Sequence, residues 1–230
     1  MSVERHGDRL AQVTDMRSIN CFLVREDDGL TLVDALGARR HAPVVLRAAQ
    51  QLGAPIVRIA VTHGHWDHTG ALDALAGELP GAEIVFGARE ARFLAGDRSL
   101  DADEPAVKPL GLTTVRTRPA RLVGPGDRVG SLEVVAAPGH TPGQIAFLDT
   151  RDRTLIAGDA FTTLGGVYVT AKVNPRFPLP ALGTWHRPTA LRTARELRAL
   201  EPSRLAVGHG RVVEAPAAEI DRAIAAAARR

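Results

Sequence analysis

The sequence lacks what a disulfide-linked or membrane-spanning protein needs. Cys21 is the only cysteine, so no intrachain disulfide can form, and a metal ion would be held by nitrogen and oxygen ligands with at most one sulfur. No apolar run approaches the roughly 18 residues needed to cross a bilayer, and the N-terminal stretch MSVERHGDRL is rich in charge. We therefore expect a cytoplasmic protein without a membrane partner.

An excess of charge of one sign is also missing. The net charge is only +3 at pH 7, and the pI of about 9.7 reflects positive charge carried mostly by arginine, which does not titrate below about pH 12. Arg192, Arg195 and Arg198 recur at helical spacing, which is typical of a solvated helix face. The charge therefore favours a small-molecule substrate over a nucleic acid, and it leaves the oligomeric state open, a homodimer included.

Apolar residues are plentiful, at 45% of the chain, and their spacing predicts both strands and helices. NCFLVREDDGLTLVD predicts a hairpin that turns at DDG, and APVVLRAAQQLG predicts a helix ended by Gly53. Further strands are predicted in APIVRIAVT, AEIVFG, SLEVVAAPGH, QIAFLDT, RTLIAGD and RLAVGHG, and helices over about 69–79, 88–95, 187–200 and in PAAEIDRAIAAAARR. We expect one α/β domain over 1–230, made of two similar halves (about 1–118 and 119–230), with a loop over about 96–119 joining them.

The stretch THGHWDHTG concentrates metal-binding side chains where a predicted strand ends. His63 and His65 lie two residues apart on extended backbone, so their side chains leave the same face and can chelate one ion. Asp67 and His68 follow at the turn into a helix and can face a neighbouring position. One zinc ion needs only three or four ligands, and this segment alone offers four.

Three later segments each place one more candidate ligand at the end of a predicted strand. They are PGHTPG with His140, AGDA with Asp159 and VGHGR with His209. An aspartate after a strand is ordinarily a turn residue or a helix cap, so none of these segments is specific alone. Five of the eight histidines nevertheless lie in these motifs, where loops on a rigid scaffold carry functional sites.

The order H-x-H-x-D-H, G-H-T-P-G, G-D and G-H resembles the metallo-β-lactamase superfamily over nearly the whole chain. The resemblance implies an αββα sandwich of two mixed sheets packed face to face with helices outside, and a dinuclear site at one edge between the sheets. It implies that His63, His65 and His140 hold one divalent ion, that Asp67, His68 and His209 hold a second, and that Asp159 bridges them. Zinc is favoured, although iron and manganese suit the same ligands.

Two such ions, about 3.5–4 Å apart, lower the pKa of a shared water toward neutrality and polarise a substrate oxygen. Asp67 has a double role in this interpretation, since it is a ligand and also orients the water or accepts its proton. Cys21 lies in an apolar strand and is interpreted as a core residue.

Differences between this sequence and known members of the superfamily reduce the number of possible substrates. True β-lactamases of this fold lack the bridging aspartate, whereas this chain has Asp159. Hydroxyacylglutathione hydrolases share all the ligands but resemble a longer protein with a helical extension for glutathione. Acyl-homoserine lactonases place a tyrosine three residues beyond the aspartate, where this chain has Thr162, and its only tyrosine is Tyr168. RNA-processing members carry an inserted domain or a protruding arm that the sequence does not show.

The segment 160–186 is mostly apolar and rich in glycine and proline, and we interpret it as a substrate lid. Its aromatic residues Phe161, Tyr168, Phe177 and Trp185 are the predicted substrate-binding residues. They favour a hydrolase acting on a carboxylic ester, lactone or thioester. An iron-dependent redox enzyme similar to persulfide dioxygenases, and a phosphodiesterase, remain alternatives.

Overall fold

Two mixed β-sheets form the centre of the computed structural model, which describes residues 2–229. The strands of the seven-stranded sheet follow chain order: β1 (Ser2–His6), β2 (Leu10–Asp15), β3 (Ile19–Glu26), β4 (Gly29–Val33), β5 (Ile56–Val61), β6 (Glu83–Gly87) and β7 (Arg121–Val123). Its first three pairings are antiparallel and its last three are parallel.

The six-stranded sheet comes from the second part of the chain. Its strands are β8 (Arg128–Val129), β9 (Leu132–Ala136), β10 (Ile145–Asp149), β11 (Thr154–Ile156), β14 (Arg204–Ala206) and β15 (Val213–Glu214), in the order β15-β14-β11-β10-β9-β8. Strands β12 (Phe161–Thr162) and β13 (Tyr168–Val169) form a separate antiparallel pair. Only β11 and β14 pair in parallel within the described part of this sheet, so their carboxyl ends lie side by side.

Helices cover the outer faces of the sheets. They are α1 (Ala42–Leu52), α2 (Trp66–Thr69), α3 (Leu72–Glu78), α4 (Ala88–Leu94), α5 (Leu179–Gly183), α6 (Arg187–Ala199) and α7 (Ala217–Ala228), with a short 3-10 helix over Arg39–His41. No helix within residues 2–229 is long and apolar enough to cross a membrane.

The apolar core has three layers, and the side chains of strand β3 lie in two of them. Phe22 and Val24 point into the layer between the two sheets, where they join Phe147 of β10. Cys21 and Leu23 point to the opposite face, against the helices of the first half. This alternation follows from the two-residue period of a strand. A third layer lies between the second sheet and helices α6 and α7. The predicted αββα sandwich is confirmed.

Local predictions differ from the structure in several places, and strand β2 and the short elements α2, β7, β8, β12, β13, α5 and β15 were not predicted. The predicted helix over 69–79 is shorter, because α2 ends at Thr69 and α3 begins only at Leu72. Between them Gly70 packs closely on the backbone of Gly37, where a Cβ would lie 2.3 Å from the carbonyl oxygen. Strand β1 was not predicted, because it is a solvent-exposed edge strand with no apolar face.

Other boundaries agree closely. Helix α1 ends at Gly53, which has φ of 70°, and the stretch from 96 to 119 contains neither helix nor strand. The division at residue 118 places β7 in the second half, yet β7 pairs with β6 in the first sheet. The sheets therefore divide the chain slightly later than the predicted halves.

Candidate metal centre

Strand ends bring the predicted ligands to one edge of the sandwich. His63 follows β5, His140 follows β9, and Asp159 and His209 follow the neighbouring parallel strands β11 and β14. His65 precedes the short helix α2, whose first turn carries Asp67 and whose last turn carries His68. Strand ends thus position His63, His140, Asp159 and His209, and the short helix α2 positions the other three ligands.

The first group of ligands consists of His63, His65 and His140, all of them buried. Nδ1 of His65 lies 3.1 Å from Nε2 of His63 and 2.9 Å from Nε2 of His140. Three ring nitrogens therefore converge on one small volume. This is the arrangement that three imidazole ligands of a single ion require.

The second group consists of Asp67, His68 and His209. Nε2 of His209 lies 3.2 Å from Oδ2 of Asp67, and both histidines are buried while Asp67 is half-buried. The ligand atoms of each group lie within 4.8 Å of one another. The structure thus brings these six side chains together in the two sets, and it also places His63, His68 and Asp159 within the same distance of one another.

Asp159 lies between the two groups and bridges their histidines. Its Oδ2 is 3.4 Å from Nε2 of His140 in the first group and 3.1 Å from Nε2 of His209 in the second. Its Oδ1 is 3.4 Å from Nε2 of His68. One buried carboxylate therefore contacts both sets of ligands, as the bridging prediction requires.

Each of the five imidazoles turns one nitrogen toward the centre and has the other held by the protein. The outer contacts are His63 Nδ1 to Thr62 Oγ1 (3.0 Å), His65 Nε2 to the carbonyl of Leu110 (2.8 Å), His68 Nδ1 to Asp34 (2.8 Å), His140 Nδ1 to Thr184 Oγ1 (3.0 Å) and His209 Nδ1 to the carbonyl of Ser18 (2.8 Å). Partners of this kind fix ring orientation and tautomer in metal sites.

Two buried atoms at the centre lack a hydrogen-bond partner among the described residues. They are Nε2 of His68 and Oδ1 of Asp159, and burying such atoms without a partner is costly unless a ligand satisfies them. Gly208 permits their approach, because a Cβ there would lie 2.3 Å from Oδ1 of Asp159 and 2.4 Å from the His68 ring. The residues therefore fit a pair of bound cations.

The electrostatics of the two groups differ. Burial lowers the pKa of His63 and brings that of His140 to about 3, so both imidazoles are neutral, as metal ligands must be. Burial also acts to lower the pKa of His209, but the carboxylates of Asp159 and Asp67 raise it to about 10. Without a bound metal, the positive charge of the His209 imidazolium thus offsets the negative charge of Asp67 and Asp159 at the position that a cation would occupy.

Two supporting acids were not predicted from the sequence. Asp34 accepts hydrogen bonds from the Thr62 amide (2.8 Å) and hydroxyl (2.9 Å), and from Nδ1 of His68 (2.8 Å). Because the Thr62 hydroxyl donates to Asp34, it accepts from Nδ1 of His63, and this one carboxylate orients two ligands. The sequence contained a signal for Asp34, because this residue directly follows an apolar strand, as Asp159 does.

The sequence contained no comparable signal for the second supporting acid, Glu90. It is buried on α4, where it accepts hydrogen bonds from the amide of Gly64 (2.7 Å) and the hydroxyl of Thr141 (2.9 Å), and burial raises its pKa to about 7. Gly64 lies between two ligands and Thr141 follows a third. Glu90 therefore ties together the two loops that carry the first ligand group.

A cavity of about 360 Å³ opens onto the ligands. Its lining comprises Met16, Ser18, Ile19, His65, Trp66, Asp67, Leu110, Gly111, His140, Asp159, Phe177, Leu179, Pro180, Gly183 and His209. Apart from the predicted ligands, these side chains are mostly apolar. The segment 160–186 contributes Phe177 and part of α5, so it does form one wall.

The other three aromatic residues predicted to bind substrate lie outside this lining. Phe161 is fully buried in the core against α6 and α7, because β12 turns it inward. Tyr168 faces a surface depression beside Glu219 of α7. Trp185 is buried and donates its indole N–H to the carbonyl of Val107. Of the four predicted substrate-binding aromatic residues, Phe177 therefore lines the cavity, together with Trp66 of α2, which was not predicted.

We expect Thr184→Val to weaken metal binding by about tenfold to a hundredfold, the usual cost of losing such a supporting partner. The Thr184 hydroxyl donates to the carbonyl of Pro180 (2.9 Å), so it can only accept from Nδ1 of His140, which leaves Nε2 of that ring free of a proton. Competition with a fluorescent chelator measures the affinity. Thr184→Ser keeps the hydroxyl and should bind as the wild type does. Equal affinities in all three proteins would contradict this role.

Comparison with known proteins agrees with this geometry. The sequence profile of the Metallo-beta-lactamase superfamily matches residues 14–209. The uncharacterized protein YobT of Bacillus subtilis (strain 168) is 41% identical over 90% of this chain and 89% of its own length. The probable metallo-hydrolase YflN of the same organism is 29% identical over 82% of this chain and 78% of its own length.

A hydroxyacylglutathione hydrolase of Rhizobium etli is 30% identical over 73% of this chain, which spans only 58% of that longer protein. Among solved structures, the B3 metallo-beta-lactamase with an active-site glutamic acid superposes with a TM-score of 0.71 at 22% identity, over 100% of this chain and 90% of the other. TTHA1623, in a di-iron-bound form, has a TM-score of 0.63 at 22% identity, over 89% and 93%. The superfamily profile, the two ligand groups and the sandwich fold agree, and the chain belongs to the metallo-beta-lactamase superfamily as a metallo-hydrolase of that fold.

Proposed function

We propose that the protein is a dinuclear zinc hydrolase that acts on a carboxylic ester, lactone or thioester. The observation that carries the proposal is the cavity, whose floor consists of the ligand side chains and whose walls are mostly apolar. A carbonyl substrate with little polar surface fits such a cavity, because the walls exclude water and the polar groups lie at one end.

The ligand set supports the choice of zinc. One ion would be held by His63, His65 and His140, and the other by Asp67, His68 and His209, with Asp159 between them. Imidazole and carboxylate ligands without sulfur suit zinc, and they also accommodate iron and manganese. When bound, two such ions would acidify a water toward a neutral pKa and polarise a carbonyl oxygen.

The chain's own residues supply the rest of the chemistry. Asp67 lines the cavity and is ionised, since the effect of burial on its pKa is outweighed by His68 and His209. Among the ligands, Asp67 is the carboxylate that is only half-buried. It therefore serves both as a metal ligand and as the group that accepts the proton of the attacking water. The outer contacts of the histidines hold each ligand nitrogen in the direction of the metal site.

Relatives of known name support hydrolysis of a carbonyl compound. The hydroxyacylglutathione hydrolases that resemble this chain are named for a thioester substrate. The chain spans only 58% of the Rhizobium etli enzyme. We therefore extend the type of reaction to this protein, but not glutathione as part of its substrate.

A matched substrate panel tests the proposal. We expect the zinc-loaded protein to hydrolyse aryl esters, lactones and thioesters, and to cleave the corresponding aryl phosphodiesters at least about a hundredfold more slowly, because a phosphodiester carries charge into apolar walls. Release of the common aryl group follows all substrates in one assay, with chelator-treated protein as the control. Faster cleavage of phosphodiesters than of any ester would assign the protein to phosphoester chemistry instead.

A further inference from the structure

Large exposed apolar side chains concentrate around the mouth of the cavity. Nine such residues are exposed in the part of the chain that the structure describes, and four of them line this cavity: Met16 at 58% exposure, Trp66 at 50%, Leu110 at 59% and Leu179 at 66%. A single exposed leucine needs no explanation, but several around one opening mark a surface that binds something apolar. We call these four residues the rim.

The rim is assembled from separate parts of the chain. Met16 lies in the turn between β2 and β3, Trp66 begins α2, Leu110 lies in the long loop before β7, and Leu179 begins α5. No single amphipathic element therefore accounts for their exposure. They share only their position around the opening.

An apolar path runs from the metal ligands to the rim. The ring of Phe177 lies 5.1 Å from the ring of His209, next to the second ligand group. Leu179 lies two residues further along the same wall and is mostly exposed. A chain attached to a carbonyl at the ligands would thus contact Phe177 first and reach Leu179 only when it is long.

Away from the ligand side chains, the same lining carries no charged group. It includes no arginine or lysine, and its only carboxylates are the predicted ligands Asp67 and Asp159. Arg17 is exposed beside Met16, and Lys108 is exposed near Leu110, but neither lines the cavity. A carboxylate or phosphate on the far part of a substrate would lose hydration here without gaining a partner.

We infer, on the basis of the proposed function, that the substrate is an uncharged ester, lactone or thioester whose apolar chain runs past Phe177 and extends onto the rim. The carbonyl occupies the ligand end of the cavity, and the chain covers Met16, Leu110 and Leu179.

A chain-length series tests this inference directly. For uncharged aryl esters from acetyl to decanoyl, kcat/KM of the zinc-loaded protein should rise about fourfold for each methylene that the cavity and rim bury. Acyl groups of the same length that end in a carboxylate should be at least about tenfold poorer. A series that is flat with length, or one in which the carboxylate improves turnover, would overturn the inference.

Variants locate the effect. Leu179→Ser should lower kcat/KM much more for decanoyl than for butyryl esters, whereas Phe177→Ala should lower it for both. Leu122→Ser is the matched control, because Leu122 is 53% exposed on β7 and does not line the cavity. Tyr168→Ala serves as the corresponding aromatic control. If Leu179→Ser and Leu122→Ser behave alike on every ester, the rim does not bind the chain.

Binding of methyl ketones separates this inference from the proposed function. These compounds keep a carbonyl and an apolar chain but cannot be hydrolysed, and calorimetry should show that their affinity rises with length even if no ester is cleaved. Absence of ester cleavage would contradict only the proposed function. Length-independent ketone binding, or a change in oligomeric state on Leu179→Ser with no change in the length dependence, would assign the rim to another occupant and overturn the inference.

Discussion

Asp67→Asn should reduce kcat by about a hundredfold to ten-thousandfold on every ester, the range expected for loss of a positioned proton acceptor. Asparagine keeps the size of the side chain but cannot take up a proton, and it is a weaker ligand. The carboxylate lies 3.2 Å from Nε2 of His209, so its loss also leaves that imidazole without one of its two acid partners. The fold should survive, since Asp67 is half-buried at the cavity floor and belongs to no core layer.

Stopped assays together with elemental analysis check this prediction. Asp221→Asn is a suitable control, because Asp221 is an exposed aspartate that pairs with Arg198 on helices α6 and α7, which lie outside the cavity lining. Wild-type turnover by the Asp67 variant with unchanged metal content would show that another group accepts the proton.

Metal removal should have the second large effect. We expect two divalent ions per chain and, at free metal about a thousand times the dissociation constant, about 4 kcal/mol of added stability for each site. The physical reason is the concentration of buried acid groups. Asp34, Asp67 and Asp159 lie around five imidazoles, and two buried ligand atoms have no other partner among the described residues.

Thermal unfolding with and without a chelator measures this stabilisation, and zinc added back in excess should restore it. Elemental analysis of the metal-replete protein gives the stoichiometry. One ion or none per chain, or an unfolding temperature that does not respond to the chelator, would contradict the dinuclear interpretation.

Candidate ligands could be recognised in the sequence because strand ends are local features, whereas their assignment to two ions came from the resemblance to the superfamily. His63, Asp159 and His209 each follow an apolar run that forms a strand, and parallel neighbours such as β11 and β14 end at the same edge. Asp34 carries the same signal after β4 and could have been included.

The substrate residues could not be predicted in the same way. Whether Phe161 and Tyr168 face the cavity depends on how β12 and β13 turn their side chains, and a pair of two-residue strands has no readable pattern. Phe177 lies outside regular structure, between β13 and α5, where no periodicity predicts the direction of a side chain. The rest of the wall comes from Met16 and Leu110, which lie far from the segment 160–186 in sequence. No local rule connects such distant positions.

The outer contacts of the ligand histidines also bear on how the substrate range of this protein can change in evolution. His209 and His65 are held by the backbone carbonyls of Ser18 and Leu110, whereas His140 is held by the side chain of Thr184. Residues 18 and 110 line the cavity, so replacing their side chains alters the wall but leaves both carbonyls in place. Point substitutions at these loops can therefore change the cavity wall while the contacts that orient His209 and His65 remain, whereas insertions that shift the same backbone would disturb the wall and the ligands together.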